Sequence, residues 1–397
     1  MLTFDEAVAL LARSFDRLGT ETVAIEEAHG RYLAEQITAA LDAPRCDVSM
    51  MDGYAVAHRA ATGNEWLDVT GEARPAMPYA GTLEESQAVR IFTGAPVPRG
   101  AELVIMQEYA ERSGDRVRFR DGHGPSSHIR RAGSDFGAGD VLLDSGSRLT
   151  PQALVTAAAA DRSDLSVTRQ PRVAIISTGD ELAPPGSAAE TAAQIPESAS
   201  CGVRALAEGA GGQVATLVRV RDDLGQLGKA GACALNDADC VVVIGGASVG
   251  DYDFARAMFA DQAMELVFSK VAIKPGKPVW LGKVGTKPIL GIPGNPTSAM
   301  VTARLFLAPL LVALQGGNPE DHLAFLPMRV ASPLPEGGDR ETFWRAISTP
   351  DGIDPVGNQD SGAQAPLAKT DWLVRRPRSA AATLPDDVLP ALRFNPC

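Results

Sequence analysis

Polar caps followed by apolar residues at helical spacing open the chain. Thr3-x-x-Glu6 has the form of a capping box, and Phe4, Val8, Leu11, Phe15 and Leu18 follow on one face, which predicts an amphipathic helix ending near Gly19. A second short helix is expected at 25–33. From about Met51 to Arg131 the period changes: the short apolar runs 88–92, 103–106 and 117–119 sit between Gly, Pro and Asp turns, the pattern of a small β-rich domain. Thr150-Pro151 reads as N-cap and first residue of a helix through Ala160.

Beyond Arg172 the pattern becomes α/β. The runs 173–176 and 240–244 are continuous, apolar and bounded by turn signals, as expected of strands buried on both faces. A helix near 198–208 and an apolar run at 214–220 lie between them. Asp253 is placed to cap a helix carrying Phe254, Met258 and Phe259, and Asn295-Pro296 is a second cap pair opening a helix over 297–314. After a linker at 315–320, short runs and many prolines predict a small C-terminal β domain. The fold class is therefore α/β and multi-domain.

Composition narrows the function. Hydrophobic residues make up 45% and charged residues 22% of 397 residues, an ordinary globular mixture, and the net charge of −12 argues against nucleic-acid and membrane-surface binding. The apolar segment 299–314 is broken by Arg304 and Pro309 and reads as a buried helix rather than a membrane span. The amino-terminal residues carry no basic region or apolar signal core, and the five cysteines form no C-x-x-C pair; both fit a cytoplasmic location with reduced thiols. The five histidines are too scattered for a zinc site.

The candidate chemistry clusters at strand ends, where ligands collect in open α/β sheets. Ser177-Thr178-Gly179-Asp180-Glu181 follows one run and Gly245-Gly246-Ala247-Ser248-Val249-Gly250 the next. The first reads as a ligand loop or as an ordinary turn; the second permits close backbone approach to a phosphate or flat ring. Asp251 and Asp253, which follow at once, are placed to hold Mg²⁺ together with a substrate phosphate, although Asp253 is also a natural helix cap; Asp222, at another strand end, reads alone as a helix cap. If 270–274 is a strand, Lys270 and Lys274 share a face, and Lys277 returns after Pro275-Gly276. With the backbone-rich loop Pro293-Gly294-Asn295-Pro296 and Ser298, these lysines predict an oxyanion cradle; the alternative is a solvated edge strand.

Six pieces stand in collinear order: 49–55 (Ser-Met-Met-Asp-Gly-Tyr-Ala), 90–98 (Arg-Ile-Phe-Thr-Gly-Ala-Pro-Val-Pro), 177–182, 245–250, 273–278 and 292–298. In that order they resemble the molybdopterin molybdenumtransferase family, which includes the E domain of gephyrin. The resemblance implies an elongated four-part subunit that forms a homodimer with its active site at the subunit interface. Its substrates would be adenylylated molybdopterin and molybdate, its cofactor Mg²⁺, and its products molybdenum cofactor and AMP. It further implies a molybdopterin-adenylylating enzyme and molybdoenzyme maturation proteins as partners. Catalytic roles would fall on Asp52 and Thr93 of one subunit and on Glu208, Asp222, Asp253, Lys270 and Lys274 of the other, with Ser298 and Ser361 binding ligand. The competing readings are a diverged paralogue and a non-catalytic pterin-binding carrier or scaffold.

Pattern and resemblance together divide the chain into a discontinuous N-terminal helical and linker domain (1–47 and 132–171), an inserted β-rich domain (48–131), an α/β domain (172–322) and a C-terminal β domain (323–397). The chain also departs from the family pattern: Pro196-Glu197-Ser198-Ala199 stands where an aromatic-Asp-x-Asn segment is usual.

Overall fold

The fold is that of a computed structural model, which describes residues 1–57, 65–246 and 254–395. Its centre is a six-stranded sheet in the order Gln213–Val220, Arg172–Thr178, Cys240–Ile244, Lys287–Ile292, Trp280–Val284, Glu265–Ser269. The first four strands are parallel and the last two are added antiparallel, so the sheet is mixed at one end. The apolar runs 173–176 and 240–244 occupy the middle of the sheet because both faces are covered. One face packs Val173, Ile175, Val242 and Leu290 against the helix Ala199–Gly209 and the long helical stretch 296–314. The other sets Ile176, Val241 and Val243 against the helix Leu224–Asp237 and Phe259. Pro296–Leu314 is long and apolar enough to cross a membrane but is almost wholly enclosed by the fold, as a core helix is. A one-turn π segment, Ala303–Leu307, interrupts it, and the buried Arg304 there donates to the carbonyls of Arg393 and His322.

The N-terminal helix runs Phe4–Ser14, with the Thr3–Glu6 capping box formed in both directions. It ends before Gly19 because tertiary contacts take over the following residues: the Leu18 amide donates to Leu314 and the Gly19 carbonyl accepts from Arg169. Its buried face, Phe4, Val8 and Leu11, belongs to the core of the α/β domain rather than to a separate N-terminal domain. The linker region has its own small core of Leu33, Ile37, Leu149, Ala157 and Val167. In place of the helix expected at 25–33 there is a single 3-10 turn, Ile25–Glu27. The expected helix at Pro151 is present as Pro151–Ala159, with the Thr150 hydroxyl accepting from the Ala153 amide.

The inserted domain is a six-stranded sheet ordered Leu103–Met106, Gly53–Val56, Gln87–Ile91, Leu67–Ala73, Arg116–Phe119, Ala110–Ser113. Its two chain crossings run side by side, Val48–Ser49 pairing with Ile129–Arg130, and Asp47 ties them by accepting from Arg131 and the Ala132 amide. The C-terminal sheet is built on Glu341–Thr349, Trp372–Arg376, Val388–Arg393 and Leu326–Arg329. Its edge is completed by Ile273–Lys274, which leaves the α/β domain to pair in parallel with Glu341 and Thr342.

Candidate functional site

Four parallel strands deliver their carboxyl ends to one edge of the central sheet, and a cavity of about 730 Å³ opens there. Thr178 and Gly179, Asp222, Gly245 and Gly246, and the loop Pro293-Gly294-Asn295-Pro296 all line it. Gly245 shows why glycine is needed. It has φ +91°, and a Cβ there would lie 2.7 Å from the Thr178 carbonyl, while one on Gly294 would meet the Gly245 Cα at 3.3 Å. The three loops touch through bare backbone, so side chains there would push them apart. The Thr178 hydroxyl donates to Asp222 Oδ1 across two neighbouring strand ends.

A second cavity, of about 570 Å³, adjoins the first and shares Pro278, Pro293 and Asn295 with it. Lys274, Lys277, Ser298 and Ser361 line it, joined by Arg340. The Asn295 side chain does not cap its helix; its amide donates to Ser361 Oγ at 3.2 Å, where the two cavities meet. The Thr297 hydroxyl donates to the Ala363 carbonyl (2.8 Å), fastening the C-terminal loop to the helix that carries Ser298.

The strand expected over 270–274 does not form. Glu265–Ser269 ends before Lys270, which is left-handed at φ +63°, and only Ile273 and Lys274 are extended, on the neighbouring sheet. Lys270 is exposed and lines neither cavity, so the cationic cluster consists of Lys274, Lys277 and Arg340 instead. Glu208 is also elsewhere. It sits nine residues along the helix from the cavity-lining Ala199, about 13 Å at roughly 1.5 Å per residue, and pairs with Arg204. The acids that do line the first cavity are Glu181, Glu197 and Asp222. Asp180 turns outward to Arg221 (3.0 Å), whose hydrogen bond, helped by its charge, holds the carboxyl below the usual range. Ser248, Gly250, Asp251 and Asp253 lie outside the described residues.

Asp52 and Thr93 meet in the inserted domain. Both the Thr93 amide and its hydroxyl donate to Asp52 Oδ1 at 2.8 Å, and these bonds, with the nearby Arg90, lower the Asp52 pKa from its ordinary 3.8. Arg90 is fixed over the rings of Tyr54 and Phe92 and donates to the Gly53 carbonyl. Neither Asp52 nor Thr93 lines the two cavities.

Two residues at the site carried weak signals in the sequence. Glu181 stands in the quoted Ser-Thr-Gly-Asp-Glu loop, next to Asp180. Arg340 follows a Gly-Gly-Asp turn before the strand Glu341–Thr349, a context that reads locally as an exposed loop. The departure at 196–199 also has a structural meaning. Glu197 is buried and its carboxylate accepts from the Ser200 amide and hydroxyl, so it caps the helix at the cavity wall, while Ser198 bonds Gln364.

Residues 2–160 match a family described as MoeA N-terminal region (domain I and II), and residues 174–313 match one described as a probable molybdopterin binding domain. A molybdopterin molybdenumtransferase of Haemophilus influenzae is 36% identical over 318 residues, 80% of this chain and 78% of that protein. One from Nostoc is 33% identical over 371 residues, 90% and 85% of the two chains. A structure of the molybdopterin biosynthesis MoeA protein from Pyrococcus superimposes with a TM-score of 0.81 at 28% identity, covering 99% of both chains. Its likeness runs through every part of the subunit, including the C-terminal sheet that the family profiles leave uncovered. Strand-end loops of the α/β sheet and a loop of the C-terminal sheet thus meet around joined cavities in a chain that belongs to the molybdopterin molybdenumtransferase family, whose role lies in molybdenum cofactor biosynthesis.

Proposed function

We propose that this chain inserts molybdenum from molybdate into adenylylated molybdopterin, releasing AMP, as the last step of cofactor assembly. The observation that carries this reading is the joined pair of cavities: one acidic and glycine-lined at the parallel strand ends, the other cationic, meeting at Asn295. A flat ring and its phosphates suit the first, where backbone approaches closely at Gly245 and Gly294. An oxyanion suits the second, since Lys274, Lys277 and Arg340 supply charge within a short distance and screening over roughly 8 Å isolates them from the acidic exterior.

Among the described residues no three His, Cys, Asp or Glu side chains gather as a metal site. Asp222 and Glu181 nevertheless fit Mg²⁺, which is commonly held by one or two carboxylates plus substrate phosphates. Bound there, Mg²⁺ would supply charge neutralisation at the pyrophosphate. Thr178 orients Asp222 through its hydroxyl, and the glycine loops exclude bulk from the floor of the cavity.

Asp52 and Thr93 would complete the site from a second copy of the chain, as a homodimer with a shared active site requires. Asp52, with its pKa held down, acts as a permanently ionised acceptor rather than a proton shuttle at neutral pH. A cytoplasmic location and supply of substrate by a molybdopterin-adenylylating enzyme, with delivery to molybdoenzyme maturation proteins, complete this reading. Reconstitution with adenylylated molybdopterin and molybdate tests it. Equal release of AMP and cofactor, abolished by a chelator and restored by Mg²⁺, is expected. Pterin binding without AMP release would instead favour the carrier reading.

A further inference from the structure

Arg345 is 1% exposed, yet among the described residues no carboxylate bonds it. Its guanidinium is spent entirely on one loop: Nη2 donates to the carbonyls of Asn358 and Asp360 at 3.0 Å each, and Nη1 to that of Ala363 at 3.2 Å. The backbone of Arg345 is engaged by the same loop, since its amide donates to Gln359 Oε1 (3.0 Å) and its carbonyl accepts from Gln359 Nε2 (2.8 Å). This is a dense investment of polar groups in a segment with no regular secondary structure. Gln359, Asp360 and Ser361 from that segment line the cationic cavity.

Peptide planarity gives the arrangement its meaning. In a trans peptide the N–H points opposite to the C=O of the same unit. Carbonyls 358, 360 and 363 point to Arg345, so the amides of Gln359, Ser361 and Gln364 point away from it. None of these three amides donates a hydrogen bond within the described chain. The amides between them, of Asp360 and Gly362, are taken up by Asn358 Oδ1 and Asp360 Oδ1, so the Gln359 and Ser361 amides are the loop donors left to meet an anion beside the cationic cavity. The Ala363 carbonyl is also shared with Thr297, which ties the loop to the helix bearing Ser298.

We propose that Arg345 is a positioning residue for oxyanion capture: by gathering three carbonyls of loop 358–363 it turns the Gln359 and Ser361 amides outward and sets Ser361 against Asn295. A planar fork with several fixed donors can hold three acceptors at once; a lysine ammonium on a flexible stem cannot hold the same geometry. This inference rests on the oxyanion reading of the cationic cavity.

The test compares Arg345→Lys with the unaltered protein in the reconstitution assay, following molybdate dependence and, separately, AMP binding by calorimetry. The half-saturating molybdate concentration is expected to rise about tenfold, with a smaller change in kcat and AMP affinity held within about twofold. Gln359→Ala, which loosens the same loop and leaves the guanidinium in place, is expected to shift molybdate dependence in the same direction by about threefold. Unchanged molybdate dependence in both variants, or equal losses of molybdate and AMP affinity, overturns the positioning role. An unaltered protein with no saturable molybdate dependence sinks the oxyanion reading itself, a result distinct from either.

Discussion

In the α/β domain, residues as distant in sequence as Thr178 and Pro296 line one cavity, whereas in the inserted domain Asp52 and Thr93 bond each other on the outside of a separate sheet. Parallel strands account for the first case. Each strand end must turn on the same edge, so short loops from four strands are forced into one place. A largely antiparallel sheet gives no such convergence, and its motif makes a compact, exposed pair whose carboxylate is held ionised. The first region can be read as a pocket; the second is a bonded pair outside both cavities.

The substitutions that separate these regions are expected to differ in size. Asp52→Asn should lower kcat by about 10²-fold, while the mass in solution by light scattering and molybdate half-saturation stay as they were. A variant that keeps full turnover would show that the inserted domain takes no part in the chemistry. Lys274→Ala should raise half-saturating molybdate about tenfold, with stability altered by no more than about 0.5 kcal/mol in denaturant titration, as for an exposed side chain. An unchanged molybdate dependence would remove Lys274 from the cationic cavity.

A smaller effect is expected at Thr93, and it is read from a pH profile. Two Thr93 donors favour the ionised Asp52, so the folded-state pKa lies below the ordinary 3.8. Its stabilisation is present above the unfolded value and is lost as pH falls through the lower folded value. Thr93→Val removes one donor, moves that pKa back up, and should shift the acid limb of activity to higher pH with a loss of a few-fold in rate. An acid limb that stays put would detach Asp52 from the profile. The smallest effect is expected for Glu208→Ala: no change in activity, and about 0.3–0.5 kcal/mol of stability from the lost pair with Arg204. A large fall in turnover there would place a functional group on the far end of that helix.

What could be read from the sequence was local. The Thr3–Glu6 and Thr150–Pro151 caps act within four residues, and the buried strands 173–176 and 240–244 declare themselves by composition. What failed depended on remote partners. Lys270 and Lys274 look like neighbours on one strand, but the amide of Ala272 between them is claimed by Leu2, and Lys274 pairs with Thr342. Arg340 and Arg345 gave no periodic signal because one opens a strand from a loop and the other's guanidinium is consumed by carbonyls some fifteen residues on. Asn295 was readable as a helix cap by position, and its actual bond to Ser361 depends on a domain whose docking no local pattern encodes.

The two residues Ile273 and Lys274 have one further consequence. They are the outermost rung of the C-terminal sheet, although they belong by chain order to a different domain. A fragment beginning after the core helix would therefore leave Glu341 and Thr342 without their parallel partner, an open rung of the kind that recruits stray strands, while Ala346–Thr349 stay paired with Gly352–Pro355. The carboxyl-terminal quarter of this protein is thus a dependent module: its first rung is lent to it by the neighbour whose lysine it helps to hold.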